Sequence, residues 1–336
     1  MGKPKVCVLM STYNGEKYIR DQIESILKQN EVDVQLIIRD DGSSDKTIEI
    51  VAEYASHYGV ISYDKGINLG VGKSFLSLLN NAPPADYYAF ADQDDVWLED
   101  KLSRAVGFIQ KAEASDISGA CRGYALNIEG LCGLLPTDKK ESIPVLYGSN
   151  TTLTDENLYI IGDHNGIDVS CGLYENLSRN TMYGCTMVMN RELVDAFKTV
   201  PPVSDNVLKR KNHDAWILYF AFINGVVLFD GESRILYRQH NNNVVGGKKL
   251  SGIPLFAEKC KRIINKKNKN LRSSLANDLI RCYSSALSSE MRSNLETISQ
   301  ANSIAGIRRL LKNSTITDSF HESKVIILLR GLFNWI

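Results

Sequence analysis

The sequence has no excess of charge of either sign, because 39 lysines and arginines stand against 39 aspartates and glutamates. A general nucleic-acid-binding protein is normally basic, so we expect no nucleic-acid partner. The seven cysteines include no C-x-x-C pair and none of the usual zinc-ligand spacings, and their number is odd. This pattern predicts a reduced, cytoplasmic chain rather than a disulfide-bonded one.

Long hydrophobic runs are also missing. The most apolar stretch, "WILYFAFINGVVLF" at 216–229, is too short to cross a bilayer and is interrupted by Asn224 and Gly225. The first residues, "MGKPKVCVLM", lead directly into a strand-like segment, so no signal peptide is predicted. A length of 336 residues leaves room for one large domain or two.

The first hundred residues contain a regular alternation of two patterns. Apolar runs typical of strands occur at 5–12, 33–41, 59–65 and 86–95, and the segments between them carry apolar residues at helical spacing. Such alternation predicts βαβ units and therefore an α/β fold, with a mostly parallel central sheet flanked by helices. Ligands of sheets of this type bind beyond the carboxyl ends of the strands.

Polar clusters fall at these strand ends. Ser11–Asn14 follow the first strand, Asp40–Asp41 follow the second, and Asp92–Asp95 follow the fourth. Because the carboxyl ends of parallel strands meet at one edge of the sheet, the three clusters are expected to form a single site rather than scattered polar loops.

The rest of the chain is less regular. Residues 130–180 show no clear period, and we expect a loop-rich insertion over the edge of the site. Strands are predicted at 182–190, 226–230 and 234–240, with helices at 191–198 and 212–226. The composition changes near residue 250, which predicts one domain over 1–250 and a helical C-terminal region over 251–336.

The carboxylates of "ADQDDVW" (91–97) repel one another unless a positive charge lies between them. A D-x-D pair in an extended chain projects two carboxylates in the same direction, and such oxygen ligands suit Mg²⁺ or Mn²⁺ together with a substrate phosphate. Two other interpretations stay open, because Asp95 can cap the following helix and the cluster can be a solvated acidic turn.

Two other phosphate-binding patterns are disfavoured. "GINLGVGKSF" resembles a P-loop, but that motif requires a glycine at position 67, where the chain has Ile67. No G-x-G-x-x-G follows the first strand either, so a dinucleotide-binding fold is not expected.

Several segments together carry a family resemblance. "VLMSTYNGEKYIRDQIESIL", "IIRDDGSSDKT", "NLGVGKSF" and "ADQDDVW" resemble an inverting family 2 glycosyltransferase of the GT-A (Rossmann-like) fold. "YGCTMVMNREL", "NHDAW" and "YRQHNNNVVG" resemble its bacterial rhamnosyltransferase-like branch. The resemblance extends in order over roughly residues 4–247, and it leaves the insertion and the C-terminal region uncovered.

The resemblance implies roles for individual residues. Tyr13 would lie against the nucleotide base, and Asp41 would accept the N3–H that uracil and thymine carry. The metal ligands would be Asp94, with Asp95 as a further candidate and His240 completing the metal or diphosphate site. The residues implied in nucleotide-sugar binding are Ser11, Thr12, Tyr13, Asn14, Asp41, Lys73, Asp92 and Gln93.

The same resemblance implies that Asp214 of "NHDAW" is the general base that deprotonates the acceptor hydroxyl. His213 and Trp216 would then lie beside the acceptor. The spacing alone leaves another interpretation open, in which Asp214 or Asn212 caps the following helix.

The donor implied is dTDP-L-rhamnose, with a UDP-hexose (glucose or galactose) as the alternative, and the acceptor a glycan of bacterial cell-surface polysaccharide synthesis. A sugar nucleotidylyltransferase and a non-catalytic relative are the remaining alternatives.

The segment 257–272 holds seven lysines and arginines against one glutamate beside apolar residues, which is typical of a helix on the inner membrane surface and would suit a lipid-linked acceptor. It is equally typical of a solvated basic face or a homodimer contact.

Overall fold

The computed structural model describes residues 2–115, 125–127, 143–163, 172–178, 180–201, 204–208, 212–240 and 270–332. They divide into two compact units. Unit 1 contains residues 1–171, 181–199 and 212–242, and unit 2 contains 172–180, 200–211 and 243–336.

The first half of unit 1 confirms the predicted alternation. Its elements are β1 (Lys5–Thr12), α1 (Ile19–Leu27), β2 (Asp33–Asp40), α2 (Thr47–His57), β3 (Ile61–Lys65), α3 (Val71–Asn81) and β4 (Tyr87–Ala91). Val6, Val8 and Met10 of β1 pack with the apolar face of α1, while the alternate residues Cys7 and Leu9 are equally buried on the other face of the sheet. Because helices cover both faces, the strand is apolar throughout, as expected of a parallel sheet.

The elements that complete the sheet and its surroundings follow in the second half of unit 1. They are β5 (Val96–Trp97), α4 (Lys101–Glu113), β6 (Ala125–Asn127), β7 (Val145–Thr154), β8 (Ile160–Asp163), β9 (Val188–Asn190), α6 (Arg191–Lys198), α8 (His213–Asn224) and β10 (Val226–Arg238). A short 3-10 turn, Gly184–Thr186, precedes β9.

The described strands form one sheet in the order β3-β2-β1-β4-β9-β7-β10-β5, with β6 paired to β10 and β8 to β7. The strands β3, β2, β1 and β4 are parallel, β9 is antiparallel to both β4 and β7, and β10 is parallel to β7. The carboxyl ends of β1, β2 and β4 therefore lie at one edge, where the first three polar clusters were predicted to meet.

The prediction of an insertion over 130–180 is wrong for 145–154, because β7 lies inside the sheet between β9 and β10. Its sequence, "VLYGSNTTLT", is too rich in small and polar residues to give a clear strand signal. Gly148 is needed for packing, since a Cβ there would lie 2.2 Å from the sulfur of Met182.

The strands predicted at 226–230 and 234–240 are one strand, β10. Asp230 and Gly231 resemble a turn in sequence, but the register with β7 only shifts there. The strand continues because the buried Asp230 carboxylate is held in the sheet by Arg104 (2.6 Å from Nε) and by the Tyr147 hydroxyl (2.6 Å).

Unit 2 is helical. It contains α5 (Leu173–Ser178), α7 (Asp205–Leu208), α9 (Leu271–Tyr283), α10 (Ser289–Ser299), α11 (Ile304–Lys312), α12 (Ser314–Ser319) and α13 (Lys324–Leu332). Asn294 donates to the Tyr174 hydroxyl (3.1 Å) and Ser204 to Asp278 (2.6 Å), so two segments from earlier in the chain belong to this unit. The predicted boundary near 250 and most of the basic segment 257–272 lie outside the described residues. None of the described helices combines the length and apolarity needed to span a bilayer.

Candidate active site

The loop after β1 is fastened to the loop after β2. The Thr12 hydroxyl donates to Asp40 (3.1 Å), and the Asn14 backbone N–H donates to the Ser43 hydroxyl (2.9 Å). The side-chain oxygen of Asn14 accepts from the backbone N–H of Ser44 (2.9 Å). Asn14 has a φ of 49°, a conformation that asparagine adopts more easily than most residues. Thr12 and Asn14 thus shape the loop through contacts within the chain.

The Gln93 amide holds the backbone of Tyr13 from both sides. Its oxygen accepts from the Tyr13 N–H (2.9 Å), and its nitrogen donates to the Tyr13 carbonyl (3.0 Å). The Tyr13 side chain remains half exposed (50%). Gln93 therefore positions the loop, while the Tyr13 ring presents an aromatic face at the surface.

The Asp41 carboxylate is the centre of a second network. It pairs with Arg39 and accepts the backbone N–H groups of Leu69 (2.8 Å) and Gly70 (2.9 Å). Arg39 also donates to the Ser74 hydroxyl (2.9 Å). These bonds fasten the loop before α3 to the end of β2 and use part of the acceptor capacity of Asp41.

Ser11 joins the same network, because its hydroxyl lies 2.6 Å from that of Ser74. Lys73 lies in the first turn of α3, immediately before Ser74. The predicted nucleotide-binding residues of β1, β2 and α3 are thus brought to one edge of the sheet.

The carboxylates after β4 form the other half of the site. Asp94 Oδ2 lies 2.8 Å from His240 Nε2, so the structure joins two of the predicted metal ligands across 146 positions of sequence. The His240 ring stacks on Tyr18, with 4.9 Å between ring centroids and 27° between planes.

Asp95 is placed differently. It is fully buried, and its Oδ1 accepts the backbone N–H of Arg238 (3.2 Å). One ligand atom each from Asp92, Asp95 and Cys185 lies within 4.8 Å of the others. The alternative that Asp95 caps a helix is wrong, because α4 begins only at Lys101 and its cap position is Asp100, without a side-chain cap bond.

Burial and crowding set the charge state of this cluster. Burial, together with the charges of Asp94 and Asp214, raises the pKa of Asp92 to about 7. Burial and the charges of Asp94 and Asp92 hold the pKa of Asp95 well above its usual value. Carboxylate oxygens and an imidazole nitrogen are ligands that Mg²⁺ and Mn²⁺ accept, and a divalent cation would offset the repulsion between them. The residues present therefore fit a divalent cation.

Asp214 lies in the first turn of α8 and is largely buried. Its Oδ1 accepts the backbone N–H of Ala215 (2.7 Å), while Asn212 makes no side-chain cap bond. A Cβ at Gly184 would lie 3.3 Å from the Cβ of Asp214, and the next residue, Cys185, belongs to the cluster with Asp92 and Asp95. The charge of Asp214 also contributes to the raised pKa of Asp92. Asn212 occupies the cap position of α8 without a side-chain cap bond. The contact with the Ala215 N–H leaves a part for Asp214 in starting the helix open, beside its predicted role as the base.

The two predicted acceptor residues lie in the core. His213 is 4% exposed, and its ring stacks on Phe75 (4.0 Å) and packs edge-on against Phe90 (4.8 Å). Burial lowers its pKa to about 4, and within the described residues neither ring nitrogen has a hydrogen-bond partner. Trp216 is 2% exposed. An acceptor would have to meet other groups in this structure.

Comparison with known proteins shows the family. The family described as "Glycosyl transferase family 2" matches residues 7–130. The dTDP-rhamnosyl transferase RfbG of Shigella flexneri is 30% identical over 251 residues, which are 70% of this chain and 73% of RfbG. The chain belongs to glycosyltransferase family 2. It is a glycosyltransferase, so the nucleotidylyltransferase and non-catalytic alternatives are set aside.

One further relative and one solved structure of similar fold match most of the length of this family 2 glycosyltransferase. TuaG of Bacillus subtilis (strain 168), named as a candidate teichuronic acid biosynthesis glycosyltransferase, is 25% identical over 73% of this chain and 83% of its own. The crystal structure of S. aureus TarS 1-349 in complex with UDP-GlcNAc has a TM-score of 0.52 at 16% identity, covering 98% of this chain and 89% of that one. The predicted GT-A fold is thereby confirmed.

Three contributors to this glycosyltransferase site were missed from the sequence. Arg39 and Arg238 are buried arginines at the ends of apolar strands, an unusual placement that is itself a signal. Cys185 lies beside Asp92 and Asp95, but a lone cysteine in "YGCTMV" gives no indication of its surroundings.

Proposed function

We propose that this family 2 glycosyltransferase is metal-dependent and inverting, and that it transfers L-rhamnose from dTDP-L-rhamnose to a glycan acceptor. The observation that carries the proposal is the convergence of Asp92, the Asp94–His240 pair and Asp214 at one edge of the sheet. This arrangement combines ligands for a cation with a separate carboxylate that can serve as a base.

Asp94 and His240 would hold the cation, with Asp92 next to it. A divalent cation at this site supplies Lewis-acid stabilisation of the negative charge that develops on the departing nucleoside diphosphate. The role of the chain is to fix these ligands. The Asp94–His240 contact and the stacking of His240 on Tyr18 restrict both side chains before a substrate arrives.

Asp214 would remove the proton from the acceptor hydroxyl as it attacks the anomeric carbon. Its carboxylate lies in the first turn of α8 and is held there by the Ala215 N–H. Direct attack by the acceptor inverts the anomeric centre and needs no covalent intermediate.

The nucleotide would lie against the exposed ring of Tyr13, between the loops held by Gln93 and Asp41. A carboxylate has about four acceptor positions, and Asp41 uses three of them on Arg39, Leu69 and Gly70. The remaining position would accept the N3–H of thymine or uracil. Ser11, Thr12, Asn14 and Lys73 complete the proposed binding edge.

The choice of rhamnose rests on the likeness to RfbG, whose name gives dTDP-rhamnose as its donor. No residue in the site separates thymine from uracil, so UDP-glucose or UDP-galactose is the second candidate. The likeness to TuaG, whose name gives teichuronic acid biosynthesis, supports a role in the synthesis of cell-surface polysaccharide.

The deciding experiment measures nucleoside diphosphate release from dTDP-rhamnose, UDP-glucose and UDP-galactose side by side, with Mn²⁺ or Mg²⁺ and in excess chelator. We expect the fastest release from dTDP-rhamnose and none above background in chelator. Preference for a UDP-hexose would overturn the donor, and full turnover in chelator would overturn the metal.

The base is tested separately with Asp214→Asn, which keeps the size of the side chain and an oxygen for Ala215. Turnover is expected to fall by about 10²–10⁴-fold, with little change in donor affinity. A loss of donor binding or of the fold would instead assign Asp214 a structural role.

A lipid-linked acceptor and contact with the inner membrane surface are also proposed, on the composition of residues 257–272. Replacing Lys266, Lys267 and Lys269 with glutamine should weaken binding to anionic vesicles. Unchanged vesicle binding, or a change in oligomeric state instead, would favour a solvated face or a homodimer contact.

A further inference from the structure

Arg238 is the last residue of β10 and lies two positions before His240. It is 3% exposed, and its guanidinium reaches three separate segments of the chain. Nε donates to the backbone carbonyl of Asp94 (2.9 Å), Nη2 to the carboxylate of Asp21 (2.8 Å) and Nη1 to the backbone carbonyl of Glu156 (2.5 Å). A single side chain thus connects the loop after β4, helix α1 and the turn after β7.

Both proposed metal ligands are connected to this side chain. Asp94 is held directly through its backbone carbonyl. His240 is held through a shared aromatic ring, since the guanidinium carbon of Arg238 lies 4.5 Å from the centroid of Tyr18, on which His240 stacks. The backbone N–H of Arg238 also bonds Asp95, the residue after Asp94.

The chemistry of these contacts requires arginine. A planar guanidinium donates in several fixed directions and stacks on an aromatic ring at the same time, whereas a lysine ammonium is a point charge with no planar face. Burial of the charge is compensated by the Asp21 carboxylate and by two carbonyl oxygens.

We propose that Arg238 is a positioning residue that holds the Asp94 carboxylate and the His240 imidazole at the separation at which they share a divalent cation. The inference rests on the proposed metal dependence and adds a residue that would act on the cation through Asp94 and His240. Partners of this kind around metal ligands typically change metal affinity by 10–100-fold when they are removed.

The test is direct titration of the whole protein with MnCl₂, by calorimetry or by the EPR signal of free Mn²⁺, with and without dTDP. Arg238→Met should raise the dissociation constant for Mn²⁺ by about 10–100-fold. Arg238→Lys keeps the charge but loses the planar group of N–H donors, and the dissociation constant of this variant for Mn²⁺ should rise almost as much. Turnover of both variants should recover substantially at saturating Mn²⁺, because the ligands themselves remain.

Arg234→Met is the matched control. Arg234 lies on the same strand and pairs with Asp100 (2.9 Å), away from the metal ligands, so the same loss of charge should leave Mn²⁺ affinity unchanged. Tyr18→Leu removes the ring between Arg238 and His240 and should weaken Mn²⁺ binding even if Arg238→Met does not fold.

Three results would overturn the inference. Wild-type Mn²⁺ affinity in folded Arg238→Met or Arg238→Lys would show that the ligands need no such support. An equal loss in Arg234→Met would show a general effect of charge. Absence of Mn²⁺ binding by the wild-type protein would defeat the proposed metal dependence itself, and the inference with it, before any variant is compared.

Discussion

The two acidic clusters at the edge of the sheet are alike in sequence and opposite in structure. After β2, Asp40 accepts from Thr12 and from the backbone N–H groups of Gly42 (3.2 Å) and Ser43 (2.9 Å), and Asp41 is paired with Arg39. After β4, burial and mutual repulsion raise the pKa of Asp92 and of Asp95.

The difference separates two uses of a carboxylate. A buried acid with partners inside the chain stabilises the fold, because its charge is already compensated. A group of acids that the chain leaves crowded together costs stability, and it becomes favourable only when a cation joins it. Removing a charge from the cluster after β2 should therefore lower the free energy of unfolding. Removing one from the cluster after β4 should raise it in the metal-free protein.

The largest effect is expected from Asp94→Ala. Losing the cation removes several kcal/mol of transition-state stabilisation, which corresponds to a fall in turnover of about 10³–10⁵-fold. The measurement is nucleoside diphosphate release at saturating Mn²⁺. Asp100→Ala, which removes a partly exposed carboxylate paired with Arg234, is the control and should keep near-normal turnover. Turnover of Asp94→Ala within tenfold of wild type would contradict a metal held by Asp94.

In the cluster after β2, Arg39→Met should lower the free energy of unfolding. The substitution leaves the buried Asp41 carboxylate without the positively charged Arg39 guanidinium, a change that typically costs about 3–5 kcal/mol of unfolding free energy. Chemical denaturation measures it. The double variant Arg39→Met with Asp41→Asn should recover part of the loss, because no charge is then left unpaired. If Arg39→Met loses less than about 1 kcal/mol of unfolding free energy, the Arg39–Asp41 pair contributes no more than an ordinary surface ion pair and the prediction is wrong.

His213 offers a comparison with a buried polar group that stays neutral. Its pKa is lowered to about 4 by burial, against about 6.5 in an unfolded chain. Between these values the unfolded state binds the proton and the native state does not, so stability is lost as the pH falls from about 6.5 towards 4. The loss is on the order of 2–3 kcal/mol.

His213→Phe should remove that part of the acid dependence, because a phenyl ring keeps the stacking on Phe75 and does not titrate. Denaturation at pH 7.5 and at pH 4.5 measures it, with His57→Phe on the exposed end of α2 as the control. If acid destabilises the His213→Phe variant as strongly as the wild type, the dependence arises elsewhere.

The smallest effect is expected from Asp92→Asn in chelator. Removing one of the crowded charges should stabilise the metal-free protein by about 1–2 kcal/mol, which raises Tm by roughly 2–8 °C. Added Mn²⁺ should then raise the Tm of the wild type more than that of the variant, since a ligand stabilises the state that binds it. A lower Tm for Asp92→Asn in chelator would remove the contrast between the two clusters.

The sequence was sufficient where the signal is local or follows from a parallel sheet. Alternating strands and helices over the first hundred residues predicted β1 to β4, and the rule that ligands bind at the carboxyl ends gave the meeting point of Asn14, Asp41 and Asp94. The contact between Asp94 and His240 followed only from the family resemblance, because no local pattern joins residues 146 positions apart.

The sequence was insufficient where tertiary packing overrides local pattern. Strand β7 is held in the sheet by its neighbours in spite of a polar sequence, and β10 passes through a segment that resembles a turn. His213 is buried against Phe75 and Phe90, two residues from distant elements, so the place beside the acceptor that the family resemblance implied for it could not be tested from the sequence alone.

The Gln93–Tyr13 contact has a consequence for how this sequence can diverge. The Gln93 amide fills the space beside Gly15, where a Cβ would lie 2.2 Å from its oxygen. A side chain at position 15 would therefore require the end of the Gln93 side chain to move away from the Tyr13 backbone, and glutamate at 93 would lose the bond to the Tyr13 carbonyl. Positions 15 and 93 are thus coupled through the backbone of Tyr13, and a change at either one alters how the loop after β1 is held.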